Sequence, residues 1–117
     1  MNRHIGLMIL MLLFAVSSAV IADDAAKKIF TDNKCTTCHA IESAGLKSTM
    51  GDKSPAAKAG MGDLSDVGTR HPDPAWIMKY LTKKENQKDK PHPKAFTGSE
   101  ADLKKLSEWL SSLKKKK

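Results

Sequence analysis

The chain has two cysteines and no others, and they stand three residues apart in Cys35-Thr36-Thr37-Cys38-His39. That spacing constrains the fold more than any other feature. A disulfide between them would close a tiny loop and stabilise little. The chain is 117 residues long, and its first 22 read as a removable leader, so 95 remain to fold. That is short for a self-sufficient apolar core. Domains this small often rely on disulfides, a metal or a bound cofactor. With no useful disulfide, a large apolar cofactor fits that need.

The leader is set aside first. Met1 to His4 carries Arg3, and residues 5–22 contain no charged side chain. Val20-Ile21-Ala22 then puts small or branched residues where a signal peptidase reads. This layout predicts a secretory signal peptide over residues 1–22 and an exported, periplasmic product. The competing reading is an uncleaved anchor, but an 18-residue run is near the lower limit for spanning a bilayer. No cysteine follows the run, so lipid attachment there is not supported. After cleavage no stable membrane insertion is expected.

Cys-x-x-Cys-His is the pattern of covalent haem attachment. Two thiols at this spacing reach vinyl groups on neighbouring pyrrole rings and form thioethers. The next residue then offers an imidazole to the iron as proximal ligand. The pattern predicts one covalent haem c on Cys35 and Cys38, with His39 bound to iron. Two other chemistries use paired cysteines. A thioredoxin-like pair wants a preceding strand and a βαβ context, which this sequence lacks. A zinc site would have to recruit His71 and His92, at a spacing that fits no finger.

The remaining pattern is helical. After Asp23-Asp24, residues Ala25, Ala26, Ile29 and Phe30 recur at helical spacing, and acids suit a helix start. This helix should end near Asp32-Asn33. Residues 43–63 contain four glycines and a proline and break any period, which predicts an irregular loop. A loop that long needs a reason, and wrapping a cofactor edge supplies one. Asp73-Pro74 marks a second helix start, with Trp76, Ile77, Tyr80 and Leu81 on its apolar face. Pro91-His92-Pro93 forces an extended segment. Ser99 caps a last helix, with Asp102 three positions on and a stripe of Leu103, Leu106, Trp109, Leu110 and Leu113. No strand alternation or repeat is present. The expected fold class is all-α, with three main helices and long loops around one haem.

The order of these pieces resembles a class I, single-haem cytochrome c of the bacterial periplasm. The resemblance rests on the helix ending in Ile29-Phe30 before Cys35-Thr36-Thr37-Cys38-His39, on the run Gly62 to Arg70, and on Trp76-Ile77-Met78-Lys79-Tyr80-Leu81. His92-Pro93-Lys94-Ala95-Phe96 and the Ser99 to Leu113 helix complete it. It implies a cytochrome c domain over residues 23–113 and a basic tail over 114–117. It also implies that the first and last helices cross, through Ala26, Phe30, Leu106 and Trp109. The family usually completes the iron with a methionine followed by proline. Here His92 stands in that place, 53 residues after His39. The resemblance therefore implies a bis-histidine iron, with Met61 and Met50 in the long loop as alternative donors and an open position as the third possibility. Met78, beside Trp76-Ile77 on a helix, reads as core packing. A second imidazole favours ferric iron and a low potential. The family often has a proline carbonyl orienting the proximal histidine. This chain reads Met61-Gly62-Asp63 there, with Gly62 as the expected donor of the carbonyl. His71, just before a helix start, reads as a surface or capping residue.

The chain carries +7, and Arg3 is the leader's one charge, so the remainder carries +6. Lys83, Lys84, Lys88, Lys90 and Lys94 cluster around His92, which suits redox partner proteins with an acidic docking surface. The competing reading of the cluster is a solvated face, and the terminal lysines read as a frayed tail. No base-stacking aromatic pattern supports nucleic acid binding. No nucleophile–base or carboxylate pair suggests an enzyme. The expected function is electron transfer. The alternatives are a haem sensor with a displaceable His92 and a haem subunit of a larger oxidoreductase.

Overall fold

The computed structural model describes residues 18–114, with side chains from residue 23 onward. The leader expected over residues 1–22 lies outside this range except for the backbone of 18–22, and residues 115–117 of the basic tail lie outside it too. Five α-helices follow in order: α1 Ser18–Asp32, α2 Pro55–Lys58, α3 Val67–Arg70, α4 Pro74–Leu81 and α5 Glu100–Ser112. Three are substantial, and α2 and α3 are single turns. Among the described residues, no helix is long and apolar enough to cross a membrane.

The ends of α1, α4 and α5 agree with their capping chemistry. α1 stops at Asp32, and Lys34 then adopts left-handed geometry with φ of 59°. Its start is earlier than expected, so Asp23 and Asp24 lie within the helix rather than in its first turn. Asp73 caps α4 by accepting the Ala75 N–H at 3.0 Å, and Pro74 occupies the first helical position. Ser99 caps α5 by accepting the Asp102 N–H at 3.1 Å. The end of α4 is a Schellman closure. Lys83 takes φ of 62°, its N–H reaches Tyr80 O at 3.2 Å, and the Lys84 N–H reaches Lys79 O at 2.7 Å.

The core forms where α1 and α5 meet. Ala26, Phe30 and Leu106 are each 1% exposed, and the Phe30 and Trp109 rings meet edge to face at 6.3 Å. These four residues are the ones the family resemblance puts at the helix crossing. Ile77 of α4 and Val67 of α3 join the same cluster. Ser107 sits within this apolar ground, fully buried, and its hydroxyl has no hydrogen-bond partner among the described residues. An unpaired buried hydroxyl is destabilising, and alanine is the better helix former. Ser107→Ala is expected to stabilise the protein by about 1 kcal/mol, read as a higher denaturant midpoint with unchanged slope. A lower midpoint would mean that the hydroxyl has a partner in solution.

Two departures from the sequence reading matter for the site. Residues 43–63 are more ordered than an irregular loop. They take in the end of the turn Glu42–Ala44, the turn Gly51–Lys53 and α2. Ile41 and Leu46 exchange backbone hydrogen bonds at 2.9 and 3.0 Å around Gly45, whose φ of 74° suits glycine. The charged run ahead of Pro91 holds a small antiparallel hairpin, β1 Asn86–Gln87 with β2 Lys90–Pro91. Its turn residues Lys88 and Asp89 have φ of 51° and 63°, the signs a two-residue hairpin turn requires. Neither is glycine, so each costs on the order of 1 kcal/mol, and the sequence has no Asn-Gly or Asp-Gly signal to reveal the turn.

Candidate functional site

Cys35–Thr37 forms one 3₁₀ turn directly after α1, and the His39 N–H bonds Cys35 O at 2.9 Å. This turn brings the two cysteines and His39 onto one short, curled segment. The long loop then wraps the segment. Thr49 N–H donates to Thr36 O at 2.8 Å and Met50 N–H to Thr37 O at 3.1 Å. Ser54, fully buried, donates its hydroxyl to Cys38 O at 2.9 Å and accepts the Ala57 N–H at the start of α2. Sequence reasoning missed Ser54. The signal was available, because Ser54-Pro55 is the same cap-and-proline start as Asp73-Pro74.

His39 is held by the same loop. Its Nδ1 bonds Met61 O at 2.8 Å. Gly62, the expected source of that carbonyl, contributes a smaller backbone interaction to the same ring, so Met61 is the main acceptor. Gly62 O also accepts the Ala40 N–H at 2.7 Å, in a short bridge where Leu64 N–H returns to Ala40 O. Burial holds His39 below the ordinary imidazole range, the Met61 carbonyl opposes that shift, and the nearby His92 adds to it. The ring is therefore neutral near pH 7. With a proton on Nδ1 directed at Met61 O, its Nε2 lone pair is free for a metal.

His92, at the end of the hairpin, faces His39. The two rings lie 6.2 Å apart, centre to centre, and 17° from parallel. His92 Nδ1 bonds the Lys94 carbonyl, so its Nε2 is likewise the available donor. Two metal–imidazole bonds of about 2 Å, each with a ring centre roughly 1 Å further back, need about 6 Å between ring centres. The donor set and its spacing fit a six-coordinate iron, and both cysteines are free thiols on the same segment.

The other candidates stand differently. Met61 lies close, but its sulfur accepts from Arg70 Nη1 at 2.9 Å and from Gln87 Nε2 at 3.6 Å. Met50 is 41% exposed. His71 closes α3. It is half-buried, its ring stacks flat on Trp76 at 3.9 Å, and Asp73 alone caps α4. Trp76 continues to Tyr80 at 5.1 Å, and Tyr80 meets His92 edge-on at 5.2 Å. The α4 face expected to be core thus borders His92. Burial pushes the Cys35 thiol up to about 11, with Lys94 pulling weakly the other way. That is the opposite of the lowered thiol a disulfide-exchange pair needs. Among the described residues, no three His, Cys, Asp or Glu side chains come together as a metal cluster, so the zinc alternative is not assembled.

The five lysines expected to cluster near His92, namely Lys83, Lys84, Lys88, Lys90 and Lys94, are all exposed. Lys114 is not part of a frayed tail, because its ammonium donates to Gly68 O at 2.6 Å.

A family model described as Cytochrome c matches residues 24–114. No curated protein and no solved structure matches the chain.

Proposed function

The chain belongs to the cytochrome c family and carries a covalently bound c-type haem for electron transfer, and from that premise we propose that it is a class I, periplasmic, low-potential carrier with bis-histidine iron. Cys35 and Cys38 supply the thiols that add across the two vinyl groups, each forming one C–S bond. His39 serves as the proximal ligand and His92 as the distal one. The haem, once bound, supplies a single-electron ferric–ferrous couple.

The observation that carries this reading is the facing pair of imidazoles, 6.2 Å apart, each with its Nδ1 engaged by a backbone carbonyl. Such carbonyls fix the tautomer and raise the basicity of the ligand nitrogen. Two basic imidazoles favour the ferric state and lower the potential relative to a His–Met pair. The loop's hydrogen bonds to Thr36, Thr37 and Cys38 support a carrier that rearranges little when the charge changes. The exposed lysines beside His92 suit an acidic partner and a small, transient interface. The leader pattern over residues 1–22 supports export.

The test is a redox titration of the purified holoprotein with spectra at each potential. The expected result is a single low-spin haem, a low midpoint, and no sulfur-to-iron charge-transfer band in the ferric form. A clear band would mean that a methionine holds the iron, and the bis-histidine reading would fall.

A further inference from the structure

Met61 meets His39 with its main chain and the hairpin leading to His92 with its side chain. Its main-chain carbonyl takes the Nδ1 proton of His39 at 2.8 Å. Its side chain points to the other half of the site. The sulfur accepts from Gln87 Nε2 at 3.6 Å and from Arg70 Nη1 at 2.9 Å. Arg70 is itself held within α3, with Nη2 3.5 Å from Asp66 Oδ1.

Gln87 lies in β1, and the partner strand β2 ends at Pro91, one residue before His92. This hairpin has little of its own to hold it. The ladder pairs only Asn86 with Pro91 and Gln87 with Lys90, and the turn uses two non-glycine residues at positive φ. Two-stranded hairpins are marginal without outside support. Among the described residues, the Gln87 contact to Met61 is the one hydrogen bond that ties the segment from Glu85 to Pro91 to another part of the fold. On the far side of His92, the Phe96 N–H bonds Leu81 O at 2.8 Å, and Tyr80 meets the imidazole edge-on. The side of the loop leading into His92 therefore depends on a thioether.

We infer that Met61 is a positioning residue that joins the seat of His39 to the hairpin carrying His92, and that this tie governs how readily His92 leaves the iron. The inference rests on the bis-histidine reading of the site. A thioether is a weak acceptor, so the tie is breakable. Its loss frees the hairpin without removing any ligand. Met61→Leu keeps the carbonyl for His39 and a similar volume, but offers Gln87 and Arg70 no acceptor. Gln87→Ala removes the donor from a part-exposed position that contributes nothing to the core.

The experiment measures uptake of carbon monoxide by the ferrous holoprotein at saturating gas, where departure of His92 limits the rate. Wild type, Met61→Leu, Gln87→Ala and the double variant are compared, with ferric spectra recorded for each. Met61→Leu is expected to take up the gas roughly three- to tenfold faster, the range that loss of one or two weak hydrogen bonds allows. Gln87→Ala should give part of that increase, and adding it to Met61→Leu should give nothing more, because the two residues act through one contact. If wild type excludes the gas altogether, uptake by Met61→Leu supports the inference, and exclusion by both overturns it. Equal rates in all four proteins, or fully additive changes, overturn it while leaving the bis-histidine reading intact. A sulfur–iron band in wild type that disappears in Met61→Leu overturns both, since Met61 would then be the ligand.

Discussion

A His92→Met holoprotein is expected to titrate on the order of 100–200 mV above the parent, a fraction of the roughly 0.8 V over which axial ligands set haem potentials. The direction follows from ligand chemistry. A thioether is a softer donor than imidazole and stabilises ferrous iron, so its introduction makes reduction easier. At about 59 mV per tenfold change in a one-electron equilibrium, the ratio of reduced to oxidised protein at fixed potential should shift by some two to three orders of magnitude. The same variant should gain a sulfur-to-iron band, which the bis-histidine reading expects to be absent from the parent. His92 lies between Pro91 and Pro93, which restrict the backbone around it, so methionine at this point inherits the position of the imidazole. A midpoint that does not move would show that residue 92 is not bound to iron. His71→Met serves as the control. His71 stacks on Trp76, so that change should leave the potential close to the parent value.

Gly68→Ala is expected to destabilise the fold by about 3 kcal/mol or more, the upper range for forcing extra volume into a packed site. A Cβ at this position would lie 2.1 Å from Ser111 O and 2.6 Å from Ser111 C. Both are backbone atoms at the end of α5, so no side chain can rotate to make room. Relief requires α3 and α5 to separate. That separation would also break the Gly68 N–H bond to Leu113 O at 2.7 Å and the Lys114 bond to Gly68 O. For a domain of this size the loss corresponds to a thermal midpoint lower by on the order of 10–20 °C. Gly45→Ala is the informative comparison. Gly45 has open space around its Cβ position but a φ of 74°. Its cost is conformational, about 1 kcal/mol. If the two variants melt together, the close approach of α3 to α5 is not a real constraint on stability.

Much of this molecule was readable before its structure. The α4 and α5 starts followed from Asp73-Pro74 and Ser99, because a cap is a local hydrogen bond between a side chain and the next turn. The α1–α5 crossing through Ala26, Phe30, Leu106 and Trp109 came from the family resemblance, and the burial of those residues agrees with it. The misreadings share one cause. The hairpin at Asn86–Pro91 has a turn of lysine and aspartate in left-handed geometry, which no local preference announces. His71 does close α3, but nothing in its sequence neighbours announces that its ring stacks on a tryptophan five residues on. The main carbonyl for His39 is that of Met61 rather than of Gly62, because the loop that returns beside Ala40 turns the Met61 oxygen toward the ring.

The sequence by itself determined the attachment chemistry, since two thiols and an imidazole at fixed spacing on one short segment need no distant partner to define them. It determined the helical class for the same reason, because caps and apolar stripes act within a few residues. The tertiary structure decided how closely the His92 ring approaches His39, that the Met61 carbonyl meets His39, and that the Met61 sulfur meets Gln87 of the hairpin before His92. Those facts depend on groups up to 53 residues apart in the chain meeting within a few ångströms, and only packing of the whole chain brings them there.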